Sequence, residues 1–243
     1  MTHDVNAAVE GAIQGGAREV WVKDSHGNSK NLLIDKLHPR AILVSGQGTS
    51  DVDGMMNGID ASFDLAFLVG YHARAGTVNG VMEHTITGGI HRLWMNGEEC
   101  GEIGLSAGVA GRYGVPIGLV VSDRAGTHEA MALIEGLTAW STKEGTGRYM
   151  ARLNPLEENR ERIAEMARFA VESRQAKPYV FEGPTDLRIE FNRAEEADMT
   201  ARLPGLHRHD GYTVDGTFPT FEDAHRLIWC AVEMSFRGLA AMD

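Results

Sequence analysis

Three apolar runs in this chain stop abruptly at polar residues: LAFLVG leads into Tyr71-His72, VWV into Lys23-Asp24-Ser25-His26, and IGLVV into Ser122-Asp123. Val, Ile, Leu and Phe dominate these runs, and another over 41–45, without the alternation of a sheet that is wet on one face. Strands of this kind belong to a parallel sheet covered by helices on both faces. In an open α/β sheet the carboxyl ends of the strands line the crevice where ligands collect. Two imidazoles, His26 and His72, delivered to that rim by different strands are a candidate first coordination shell.

The segments between the strands suit helices. Val5, Ala8, Val9, Ala12 and Ile13 recur at helical spacing, with Thr2 or Asp4 as the cap and Gly15-Gly16 as the stop. Strands are expected over 19–23, 41–45, 64–70 and 115–121. Asn96-Gly97, within ITGGIHRLWMNGEEC, is the strongest two-residue hairpin signal and predicts a β-hairpin between 84 and 100. A helix follows over 101–113, another runs from Asp123 to Glu135, and a short strand is expected over 137–142. At Lys143 the composition shifts to Gly and basic residues (KEGTGRYMARLNP), and Pro155 then opens a long helix. LRIEF alternates as a half-solvated strand does, and a last helix begins near Thr220.

The fold class is therefore α/β: a mostly parallel sheet covered by helices, with a β-hairpin insertion and a smaller C-terminal α+β portion. The expected division is 1–143 for the α/β metal-binding domain and 144–243 for the smaller portion packed on it. Doubly wound domains usually open on a strand that the first helix covers, whereas this chain opens on the helix, so one strand is expected to be missing ahead of it.

A chain of 243 residues with 43% hydrophobic content can bury a sizeable core. Its formal charge of −11 argues against nucleic acid or an anionic membrane as the main partner. Cys100 and Cys230 lie far apart, with no CxxC spacing, which points to a reducing compartment. The N-terminus lacks the features of a signal peptide, and no run approaches the roughly 18 apolar residues of a membrane span. The expected location is the cytoplasm.

Each candidate residue also has a plainer reading. His26 suits a solvated turn, and His72 suits an imidazole satisfied by a backbone carbonyl at a strand end. Glu102, between Gly101 and Ile103 at a helix start, suits a carboxylate stabilised by the helix dipole, and His84 suits a hairpin-start histidine. Together His26, His72 and Glu102 form a donor set fitted to zinc, and His84 can move a proton near neutral pH. Asp123 reads as an N-cap, and His207 with His209 reads as a solvated edge. The chain has no phosphate loop, no GxGxxG after a first strand and no HExxH.

Four ordered segments resemble one known family. EVWVKDSHGNSKNLLIDKLHP, LVGYHARAGTVNGVMEHT, CGEIGLSAGVAGRYGVPIGLVVSD and KEGTGRYMARLNP are similar to the zinc-dependent D-aminopeptidases. The resemblance implies a two-zinc aminopeptidase that releases N-terminal residues, D-residues among them, from short peptides, and a ring-like homo-oligomer, a decamer. It places His26, His72 and Glu102 at metal-ligand positions and His84 at the position of the catalytic histidine. Family members begin with a strand ending in Asp-x-Glu-Gly, and this sequence starts at the following helix. The expectation is a truncated chain with an incomplete metal site that binds two zinc ions poorly. Ser106 stands where many relatives have Asn. Two other readings stay open: a non-catalytic assembly or peptide-binding relative, and a two-metal amidohydrolase of other specificity.

Overall fold

A computed structural model describes residues 1–46 and 53–240 of the chain. Its elements run α1 (Thr2–Gln14), β1 (Val20–Lys23), β2 (Ala41–Val44), β3 (Ala66–Val69), β4 (Ile90–Met95), β5 (Glu98–Glu99), α2 (Glu102–Arg112), β6 (Ile117–Asp123), α3 (Arg124–Leu133), β7 (Thr138–Gly147), β8 (Met150–Leu153) and α4 (Leu156–Ser173). They continue with β9 (Thr185–Phe191), α5 (Ala194–Thr200), β10 (His207–Arg208), β11 (Thr213–Phe218) and α6 (Phe221–Ala240).

β3, β6 and β7 are parallel neighbours, with β8 added antiparallel at the edge, and β1 pairs in parallel with β2 in a small separate sheet. β6 is buried along its whole length, which is why IGLVV shows no alternation. Its Leu119 and Val121 pack with Ala8 of α1 and Ile163, Ala167 and Ala170 of α4. Val120 faces the other way, toward α2 and α3. α1 and α4 approach closely enough that a Cβ at Gly11 would lie 2.1 Å from the Ala164 carbonyl oxygen. Only glycine fits that crossing.

The second layer is an antiparallel sheet ordered β10-β11-β9-β4-β5. In β9, Thr185, Leu187, Ile189 and Phe191 are buried while Asp186 and Arg188 are exposed, the period of a strand covered on one face. Asn96 and Gly97 take φ of 52° and 84°, the paired left-handed conformations of a two-residue hairpin turn. The predicted hairpin is thus present, and β4 also pairs with β9 to become an inner strand of this sheet. Position 143, where the sequence composition shifts, lies inside β7, which extends to Gly147 instead of ending at 142. Residues 241–243 of the C-terminal portion lie outside the described residues.

α2 joins the two layers. Ile103, Ala107 and Ala110 enter the core of the parallel sheet, while Leu105 and Val109 enter that of the antiparallel sheet. Spacings of three and four put each set on its own stripe, so the helix is apolar around its circumference and buried from Glu102 to Gly111. Its N-terminus is thereby fixed between the layers, beside the rim where β3 and β6 end. Neither Thr2 nor Asp4 caps α1; Met1 holds the cap position, and Thr2 Oγ1 accepts the Leu33 N–H instead.

Candidate metal centre

β3 ends at Val69, and Gly70 turns the chain with φ of 83° into Tyr71-His72. Ser122 Oγ, at the end of β6, donates to the Tyr71 carbonyl at 2.6 Å and ties the two strand ends together. The His72 ring is fixed by its own surroundings, since Nδ1 lies 3.0 Å from the Ala73 carbonyl oxygen. His84 is held likewise, with Nδ1 2.7 Å from the Met82 carbonyl oxygen. In each ring the carbonyl selects the tautomer with hydrogen on Nδ1, which leaves Nε2 as an acceptor.

Both Nε2 atoms face Glu102, the first residue of α2. Its Oε1 lies 3.5 Å from His72 Nε2 and 3.6 Å from His84 Nε2, and it accepts the Ile86 N–H at 2.7 Å. The two imidazoles stack with centroids 3.9 Å apart and planes 25° from parallel. Side-chain exposure is 19% for His72, 26% for His84 and 10% for Glu102, so the cluster opens to solvent on the His84 side. One ligand atom from each residue falls within 4.8 Å of the others.

This arrangement fits a divalent cation. Apart from the Ile86 N–H, the converging atoms are all acceptors: two imidazole lone pairs and a carboxylate oxygen. Bringing them together without a cation is unfavourable, and mixed imidazole and carboxylate donors suit zinc. The helix N-terminus further favours the negative charge of Glu102.

A layer of polar groups supports the cluster. The Tyr71 hydroxyl lies 3.1 Å from Ser106 Oγ and also bonds with Ser25, and burial pushes its phenol up to about 12. Glu129 of α3 accepts the Arg74 N–H at 2.8 Å, two residues beyond His72. Burial raises the Glu129 pKa despite the Arg74 guanidinium beside it. Asp123 caps α3 through Oδ1 to Gly126 N–H at 2.7 Å, as expected, while Oδ2 accepts the Val81 N–H at 2.5 Å and holds the segment leading to His84.

The predicted site residues are thus brought together in part. His72, His84 and Glu102 converge, so that His84 faces the same point as the expected ligands. His26 stands outside the cluster, on an exposed turn where its carbonyl accepts the Ser29 N–H. Its neighbour Ser25 reaches Tyr71. His207 lies on the exposed edge strand β10 and His209 just beyond its end, where His209 Nδ1 is 2.7 Å from Asp215 Oδ2. Tyr71, Glu129 and the second bond of Asp123 were not identified from the sequence. The only sequence signal for Tyr71 was its place beside His72.

A parallel sheet with a His, His, carboxylate cluster on its rim defines a metal-binding α/β protein. Comparisons with known proteins narrow the class. The D-aminopeptidase family model matches residues 1–230. A D-aminopeptidase of Bacillus subtilis is 36% identical over 217 residues, which cover 88% of this chain and 77% of that protein. The solved structure of the Zn-dependent D-aminopeptidase DppA from Bacillus subtilis, described as a self-compartmentalizing protease, superposes with a TM-score of 0.92 at 32% identity, covering 97% of this chain and 86% of that one. The chain belongs to the D-aminopeptidase family.

Proposed function

We propose that this chain is a zinc-dependent aminopeptidase that releases N-terminal residues, D-residues among them, from short peptides. The observation that carries this reading is the convergence of His72 Nε2, His84 Nε2 and Glu102 Oε1 within 4.8 Å in a member of the D-aminopeptidase family. His72 and Glu102 are the residues that hold the metal. His26 is the further donor toward a second ion, and the bond from Ser25 to Tyr71 fastens its loop against the floor of the site.

When bound, zinc supplies Lewis acidity and lowers the pKa of water from 15.7 to about 7. The chain's own residues do the rest. Glu102 is held by the Ile86 N–H and His72 by the Ala73 carbonyl, so neither has to reorganise as charge develops. His84, the most exposed of the three, keeps Nε2 free of protein hydrogen-bond donors by placing Nδ1 on the Met82 carbonyl. Nε2 accepts the proton lost by the attacking water and returns it to the nitrogen of the leaving peptide. The carboxylate near the site favours a substrate whose free amino terminus is cationic.

The self-compartmentalizing relative supports assembly of this chain into a closed homo-oligomer, a decamer in our reading. Tyr149, Met150, Leu153 and Leu156 expose 79%, 65%, 66% and 64% of their surface along β8 and into α4, an apolar strip suited to such contacts. Two free cysteines support a cytoplasmic location, and no helix among the described residues is long and apolar enough to cross a membrane.

The test is amino-acid release from D-Ala-D-Ala and L-Ala-L-Ala by the zinc-loaded chain. His72→Ala is expected to lose both zinc and activity, with its fold retained by circular dichroism. Unchanged activity in His72→Ala would remove the site assignment. Absence of bound zinc and of release in the unmodified chain would favour a non-catalytic assembly subunit.

A further inference from the structure

The segment that carries His84 has an unfavourable backbone. Asn79, Met82 and Ile86 all have positive φ, at 60°, 53° and 62°, and none is glycine. For a β-branched residue such as Ile86 this conformation is strained, and it persists only where the surroundings over-determine it. Ile86 is held from within the site by Glu102. Met82 is held from outside it, by the tip of the β7–β8 hairpin.

We propose that Arg148, at that tip, is a positioning residue that sets the direction of the His84 imidazole. The contacts bracket a single stretch of backbone. The Met82 N–H donates to the Arg148 carbonyl at 2.7 Å. Arg148 Nη1 donates to the Glu83 carbonyl at 2.6 Å and also to the Glu83 carboxylate. The other Glu83 oxygen, Oε2, accepts the Gly76 N–H at 2.7 Å, which links the clamp back toward the His72 loop. Between these fixed points lies the Met82 carbonyl, and it is the group that orients His84 through Nδ1.

Two further features place the guanidinium. Arg148 Nε donates to the Tyr149 hydroxyl at 3.0 Å, with the cation 5.5 Å from that ring's centroid. Gly145 allows the hairpin to press on the start of the loop, since a Cβ there would lie 2.0 Å from the Asn79 carbonyl oxygen. An exposed ion pair by itself adds little stability. Here its consequence is directional: the hairpin fixes a peptide group on which a reacting imidazole rests, and a misplacement of about 1 Å can lower a rate about 100-fold.

This inference rests on the peptidase reading, and two measurements on the full chain separate them. With zinc and D-Ala-D-Ala, Arg148→Ala is expected to lower kcat by about 100-fold while KM stays within about twofold. Arg148→Lys, which can still reach one of the two Glu83 acceptors, is expected to recover part of the loss, as is millimolar guanidinium added to Arg148→Ala. Independently of activity, amide hydrogen exchange over 79–86 should rise in Arg148→Ala while α2 and β9 keep their protection. If Arg148→Ala does not fold, Gly145→Ala, which displaces the hairpin and leaves the charge in place, should give the same local exchange and the same fall in kcat. Unchanged exchange over 79–86, or an unchanged kcat in an active enzyme, overturns the positioning role. A wild-type chain that binds zinc and releases nothing overturns the peptidase reading instead, and the exchange measurement then decides the clamp alone.

Discussion

Around β9, alternate side chains enter a core closed by α5 and α6, and Leu187, Ile189 and Phe191 there are at most 2% exposed. Between residues 71 and 102, by contrast, the chain that carries the candidate metal centre has little regular structure before β4. It is fastened by hydrogen bonds from distant elements: Ser122 to Tyr71, Val81 to Asp123, Ile86 to Glu102 and Arg148 to Glu83. The first region is stabilised by apolar burial, which depends on volume and tolerates local change. The second depends on individual donors and acceptors at fixed positions, so its energy is vested in geometry. On the proposed function, stability and catalysis are thereby separated in space, and substitutions in the two regions should have different signatures.

The largest difference is expected at His84. His84→Ala should retain zinc and the wild-type melting midpoint, and lose about 10²–10⁴-fold in kcat, the range for a positioned acid–base group. Titration calorimetry with zinc and steady-state kinetics check both halves, and a variant that loses zinc in proportion to activity would make His84 a ligand instead. The converse is Ile189→Ala, which removes most of a wholly buried side chain from the antiparallel core. It should cost about 2–5 kcal/mol in urea unfolding and leave kcat of the folded fraction unchanged.

The smallest effect concerns Glu196 in α5, a polar exception within the apolar region. It is 1% exposed, its Oε2 has no hydrogen-bond partner among the described residues, and burial raises its pKa. A carboxyl with a raised folded-state pKa holds its proton in the folded protein at a pH where the unfolded chain has released it. Its contribution to stability is complete below the unfolded pKa and is lost as pH rises through the folded one. Glu196→Gln should flatten that decline, so its advantage over wild type should appear on going from pH 4 to neutrality. A difference that grows toward acid pH would contradict the assignment.

The same contrast explains what could be read from the amino-acid order. β9 was legible because its alternation reflects one buried face, β6 because its uninterrupted apolar run reflects two, and the β4–β5 turn because Asn-Gly suits paired positive φ. The extension of β7 past Lys143 was not, since Ser141 to Glu144 are only half-buried and carry no apolar signature. At the rim, the residue types His72, His84 and Glu102 were legible. The supports were not: Arg148 and Glu83 are separated by 65 residues, and nothing local in either segment announces the other. Strand-end position did not deliver His26 to the cluster either. Gly27 and Ser29, with φ of 53° and 57°, form a turn that leaves its side chain exposed.

The central claim is that one rim of the parallel layer, built from His72 and Glu102 with His84 beside them, is a zinc site. Diffraction from crystals of the zinc-loaded chain, recorded on both sides of the zinc absorption edge, tests this most directly. The account predicts an anomalous peak about 2.0–2.2 Å from His72 Nε2 and Glu102 Oε1. A peak elsewhere, with both of these side chains free of metal, would contradict it.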